Sequence, residues 1–141
     1  MIPLPLQAGL VITTAALTFM ASMLTDRPKP PTFLRVPHVV SDRDEIRVDV
    51  QSAPHPDRRA VLLEGYEGEY GEFEQCAPTP GPLIRSSQEP ITEGNREQRT
   101  FRFHWRPPLR PGCYVLIARL ACGGNSWGLT FSSQWSVLEV R

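Results

Sequence analysis

Leu109-Arg110-Pro111-Gly112-Cys113-Tyr114-Val115-Leu116-Ile117-Ala118-Arg119-Leu120 is the stretch that decides the fold. Pro111 and Gly112 punctuate a tight turn. Beyond them Tyr114, Leu116, Ala118 and Leu120 fall on one face at a period of two, and Val115, Ile117 and Ala121 on the other. A strand apolar on both faces has to be covered on both, so it belongs in the middle of a sheet.

Working outward, residues 100–105 alternate Phe101, Phe103 and Trp105 with Arg102 and His104. Residues 45–51 do the same, Ile46, Val48 and Val50 facing inward and Arg47, Asp49 and Gln51 outward. Residues 32–36 read as a first strand, and residues 60–63 open another that runs towards Tyr66. Residues 131–140 read as the last, with Trp135 and Val137 opposed by parity to Leu138 and Val140. The turns at 53–57 and 122–126 are rich in Pro, Gly, Asn and Asp. Helical periodicity is missing after residue 24, and 15 prolines punctuate the chain. The expectation is an all-β antiparallel sandwich over residues 32–141.

Fifteen Lys and Arg balance fifteen Asp and Glu. A neutral chain lacks the basic surplus that phosphate contacts require, so nucleic acid is not an expected partner. The charges all lie after residue 24. Residues 6–24 are uncharged and would form a helix of about 28 Å, the thickness of a bilayer core. The segment before them lacks the basic residues of a signal peptide, and no small-x-small cleavage site follows. Residues 1–25 are therefore expected to be an uncleaved transmembrane helix. Residues 26–31 (Asp-Arg-Pro-Lys-Pro-Pro) would be a semi-rigid Pro-rich linker. Arg27, Lys29 and Arg35 by themselves favour a cytoplasmic domain. The stalk and the sandwich favour the extracytoplasmic, periplasmic side, which is the expectation adopted.

Leu109-x-x-Gly112-x-Tyr114, entering an apolar strand, resembles the tyrosine corner of immunoglobulin-like and fibronectin type III sandwiches. The resemblance implies that the Tyr114 hydroxyl bonds back to the backbone near Leu109 or Arg110. It implies that the strand of Phe101, Phe103 and Trp105 is strand E and the last strand is strand G. Gly112, Tyr114, Trp105 and Trp135 are then structural residues. The chain departs from antibody domains: all three tryptophans come at 105 or later, and the second strand carries no cysteine.

Three cysteines leave at least one unpaired. Cys76–Cys122 is the first-choice disulfide and Cys76–Cys113 the second. Cys113 and Cys122 lie about 30 Å apart along one strand and cannot pair. Gly124-Asn125-Ser126-Trp127-Gly128 matches G-x-S-x-G, but the strand pattern that follows is wrong for a nucleophile elbow, and a glycine-rich turn explains it. His38, His55 and His104 share no ligand spacing, so neither a metal nor another cofactor is expected.

Two charged sets remain as partner-binding candidates. Glu64, Glu67, Glu69, Glu72 and Glu74 form an acidic ribbon, read either as a docking surface or as a solvated edge hairpin. Arg99, Arg102 and Arg106 form a basic one. The expected function is non-enzymatic: a single-pass membrane protein, held in the lipid bilayer by residues 6–24. Its sandwich would dock as an accessory subunit on other membrane protein subunits, a bacterial respiratory or photosynthetic complex being suitable. The alternative is a secreted module, freed of its leader, that recognises a glycan or a peptide.

Overall fold

A computed structural model describes residues 28–106, 109–124 and 130–141. Among the described residues nine strands follow in chain order: β1 (Thr32–Arg35), β2 (Val39–Val40), β3 (Ile46–Gln51), β4 (Arg58–Glu67), β5 (Leu83–Pro90), β6 (Thr100–Trp105), β7 (Gly112–Cys122), β8 (Thr130–Ser132) and β9 (Ser136–Val140). A short 3-10 turn, Glu72–Glu74, interrupts the connection from β4 to β5. The strands make two sheets, a small one in the order β1-β3-β6 and a large one in the order β2-β9-β7-β4-β5. All pairings are antiparallel except β2 with β9.

The alternation in the sequence becomes the core. Across β3 and β6, Ile46 pairs with Trp105, Val48 with Phe103 and Val50 with Phe101, and all six are buried. The large sheet answers with Val61 and Leu63 from β4, Tyr114, Leu116, Ala118 and Leu120 from β7, and Leu138 and Val140 from β9. Burying each of the larger side chains contributes about 1.5–3 kcal/mol. β7 lies between β9 and β4, and its second face is buried too, Val115 and Ile117 included. The organising strand is thus central, as its two apolar faces require.

Two local devices position the sheets. Gly112 has φ of +146°, a conformation that favours glycine, and two residues on the Tyr114 hydroxyl donates to the Arg110 carbonyl at 2.6 Å. The hydrogen bond implied by the tyrosine-corner resemblance is therefore present. At the other edge, Trp105 lies against Gly65, where a Cβ would stand 2.9 Å from the indole. Its Nε1 donates to Ser87 Oγ at 2.7 Å, and the Arg85 guanidinium stacks over the ring. The otherwise polar β5 thus joins the core through the tryptophan of the opposite sheet.

Several expectations are corrected. The disulfide is Cys76–Cys113, with Cα atoms 5.5 Å apart, not Cys76–Cys122. Parity explains the difference: Tyr114 and Cys122 point into the core, whereas Cys113 points to the outer face, where the 68–82 connection carries Cys76. Cys122 is a buried free thiol, pushed up in pKa by burial first and by the Asp57 charge second. Residues 131–140 are not one strand. β8 pairs with the far half of β7 and β9 with the near half, and the chain leaves the ladder between them. Trp135 falls in that break and is half exposed, not a core residue. The acidic stretch is not an edge hairpin either, since Glu64 and Glu67 belong to β4, which has β7 on one side and β5 on the other.

The expected transmembrane helix and Ser126 of the G-x-S-x-G match lie outside the described residues, as does the start of the linker. Among the described residues no helix is long and apolar enough to cross a membrane.

Candidate functional site

The charged sets singled out in the sequence do not come together. Glu64, on the outer face of β4, is ion-paired to Arg119 of β7, so it stabilises the sheet surface. Glu67 closes β4, and its carbonyl accepts the Gly81 amide at 2.6 Å. Glu69, Glu72 and Glu74 are exposed on the connection that follows, flanking Phe73, which is 90% exposed with φ of +58°. Arg99 stands beside the buried Arg58, whose guanidinium donates to the Arg96 and Gln98 carbonyls at 2.7 and 3.1 Å. Burial first, then the Arg99 charge, lowers the Arg58 pKa. Arg102 lies on β6 and Arg106 just past its end, and both find acids on the small sheet's outer face that were not assigned to them from sequence.

Those acids are Glu45 and Asp49. The β3–β6 register sets Asp49 opposite Arg102 and Arg47 opposite His104, all on the face turned away from the core. Arg102 forks onto Asp49, its Nε at 2.9 Å from Oδ1 and Nη2 at 3.4 Å from Oδ2. Glu45 accepts from Arg106 Nη2 at 2.8 Å and Arg47 Nε at 3.2 Å, and meets His104 Nδ1 at 2.9 Å. The Arg106 hydrogen bond above all, joined by those from Arg47 and His104, holds the Glu45 carboxyl down to about 2 against the opposing effect of desolvation. Asp49 is lowered as well, chiefly by its hydrogen bond from Arg102, with the charge of Arg35 helping at longer range. Both carboxylates are therefore ionised at neutral pH.

Two concavities open at this side of the sandwich. The larger, about 360 Å³, is lined by Arg35, Val36, Pro37, Val40, Glu45, Arg47, Asp49 and Arg102. The smaller, about 200 Å³, is lined by Thr32, Phe33 and Val36 at β1 and by Gln134, Trp135 and Ser136 at the break before β9. Val36 lines both, so the charged trough and the aromatic cleft adjoin. Departure of the chain from the β7 ladder after Ser133, whose amide still bonds the Ala118 carbonyl at 2.9 Å, is what turns Trp135 outward. The Ser136 hydroxyl, on the face of β9 that carries Leu138 and Val140, is buried and has no hydrogen-bond partner, so Thr32 and Gln134 are the polar side chains the cleft offers a ligand.

Chemically, the cleft offers the Trp135 indole with the Gln134 amide and the Thr32 hydroxyl, and the trough offers guanidinium donors. Among the described residues no group of three or more His, Cys, Asp or Glu side chains is placed to hold a metal. The sequence reading missed this site. The outward Arg47, Asp49, Arg102 and His104 were legible by alternation, but their pairing depends on register between distant strands. Trp135 and Ser136 were hidden by the unforeseen break.

No family model matches the chain, and no curated protein matches it. Among solved structures, it is similar to a chitin binding domain from Burkholderia pseudomallei at 16% identity and a TM-score of 0.44, covering 74% of this chain and 57% of that one. It is also similar to AA10A of T. fusca at 10% identity and a TM-score of 0.43, covering 76% of this chain and 55% of that one. The chain thus spans a little over half the length of each.

Proposed function

We propose that this chain is a non-enzymatic binding module that recognises a glycan through the cleft at Trp135. The observation that carries the reading is the half-exposed indole beside a cleft lined by the polar side chains of Thr32 and Gln134. A sugar ring has an apolar C–H face that stacks on an aromatic plane, and hydroxyls around its edge that need donors and acceptors. The cleft supplies both kinds of group within one small concavity, as ligand sites do. One of the similar solved structures is described as a chitin binding domain, but the likeness is too slight to add weight, and the reading rests on the cleft.

In this proposal the sandwich is of the immunoglobulin-like kind, with β1-β3-β6 facing β9-β7-β4-β5 and the tyrosine corner opening β7. Residues 1–25 tether it to a membrane and residues 26–31 hold it off the surface. The extracytoplasmic side suits the Cys76–Cys113 bond, because disulfides persist in oxidising compartments. The test is titration calorimetry of the full chain against a panel of oligosaccharides, with Trp135→Ala beside it. Binding that falls at least about ten-fold in the variant, a loss of about 1.4 kcal/mol, is expected, with no change in melting temperature. A variant that binds as the wild type does would remove Trp135 from the site.

A second reading, an accessory subunit docking on other membrane proteins, is favoured by a different observation. Phe73 is 90% exposed between Glu72 and Glu74, on a connection tied down by the disulfide. A solvated aromatic of this kind is the residue type that anchors protein interfaces. Co-purification from membranes that Phe73→Ser abolishes would establish it.

A further inference from the structure

We infer that the glycan is acidic, its anionic group lying in the arginine trough while the sugar ring lies on Trp135. This inference rests on the glycan reading and names the ligand class of the same site. The two concavities share Val36 as a lining residue, and the inferred ligand extends across it. In the trough three arginines, Arg35, Arg47 and Arg102, face two carboxylates, Glu45 and Asp49, and Arg106 adds a fourth guanidinium on Glu45.

The hydrogen-bond inventory points the same way as the charge. Glu45 already takes three partners and Asp49 a two-pronged one. Both negative charges are thus offset by cations of the protein itself, and the guanidinium groups outnumber the carboxylates. The guanidinium groups are not used up, each having five N–H donors. Arg47 gives only its Nε to Glu45, and Arg106 only one Nη. Arg35 has no ion pair within 4 Å among the described residues and acts on Asp49 only through its charge. Guanidinium donors in a planar fork match carboxylate and sulfate oxygens, which is the shared chemistry assigned to the ligand. A neutral sugar would leave these donors to water.

The side chains of Arg47, Arg102 and Arg106 are 63%, 60% and 73% exposed. Their attraction is therefore screened by salt, and the binding must be salt-sensitive.

The experiment titrates the full chain with three probes of matched length: an oligogalacturonate, a heparin-derived oligosaccharide and chitohexaose. Each is measured at low and at high salt, on the wild type, Arg35→Gln/Arg47→Gln and Trp135→Ala. The expected result is that at low salt one or both acidic probes bind at least about ten-fold more tightly than chitohexaose. High salt and the double arginine variant both erase that preference, and Trp135→Ala weakens every probe. Preference for one acidic probe names the anion as carboxylate or as sulfate. If chitohexaose binds as tightly as the acidic probes and still depends on Trp135, the inference fails and the glycan reading stands. If no probe binds, or if acidic binding ignores Trp135, the glycan reading itself fails. Equal melting temperatures of the variants and the wild type exclude misfolding as the cause of a loss.

Discussion

Tyr114→Phe removes one oxygen atom and tests the turn that opens β7. The ring is 6% exposed and stays buried in the variant, so its packing is unchanged. What goes is the 2.6 Å hydrogen bond to the Arg110 carbonyl. Arg110 is exposed, so its carbonyl regains a water partner and the full penalty of an orphaned buried group does not apply. The net value of such a bond is about 0.5–1.5 kcal/mol. For a domain of this size about 1 kcal/mol lowers the melting temperature by roughly 4 °C. Tyr114→Ala, which also loses the ring, should cost about 3–5 kcal/mol. Calorimetry of the two variants against the wild type separates bond from ring. An alkaline series adds an independent arm. Burial, chiefly, raises the Tyr114 pKa in the folded chain. A raised folded pKa means that the hydroxyl's contribution is complete below the unfolded value of about 10 and is lost as pH climbs through the folded one. The wild type should therefore lose its advantage over Tyr114→Phe above about pH 10. A phenylalanine variant that melts with the wild type at neutral pH would refute the role given to this hydroxyl.

Two further outcomes follow from the bonds described. Replacing Cys76 and Cys113 together by Ala opens a link between residues 37 apart, and chain entropy puts the loss at about 4 kcal/mol. Guanidinium unfolding should show a much lower midpoint, whereas an unchanged midpoint would contradict the bond. Glu45, held at about 2 in the folded chain against 4.5 ordinarily, contributes stability that is present above the unfolded value and lost as pH falls through the folded one. Glu45→Gln should therefore flatten the fall in melting temperature between about pH 5 and pH 2, and an acid profile that matches the wild type's would show that its cluster of cations contributes nothing.

What the sequence made legible was whatever rests on parity within one strand. β3, β6 and β7 follow from alternation or from a run apolar on both faces, and the tyrosine corner is a local pattern confined to residues 109–114. β5 carries no such pattern. Leu83-Ile84-Arg85-Ser86-Ser87-Gln88-Glu89-Pro90 has polar residues on both faces, and it is a strand because β4 offers it an edge and Trp105 gives its inner residues a partner. The break at Trp135 escaped for the opposite reason: the residues on either side continue the strand pattern, and only the competing demands of the two halves of β7 interrupt it. The disulfide turned on which face of β7 the 68–82 connection covers, which no local spacing encodes. The candidate site is assembled from such long-range facts, hence its absence from the sequence reading.

The charged trough is a consequence of the core, and the energies show the direction of dependence. Shifting β6 by one residue against β3 would turn Phe101, Phe103 and Trp105 to the solvent, forfeiting about 1.5–3 kcal/mol for each. Exposed ion pairs such as Arg102–Asp49 are worth about 0–1 kcal/mol and lack the strength to choose a register. The aromatic residues therefore fix which arginine faces which acid, and the placement of the guanidinium groups is inherited from packing on the opposite side of the same strands. Changes to Arg35 or Arg47 should then alter what the trough binds while leaving the sheet in place. A change at Val48 or Phe103, remote from any ligand, should disturb binding by loosening the register that aligns the arginines.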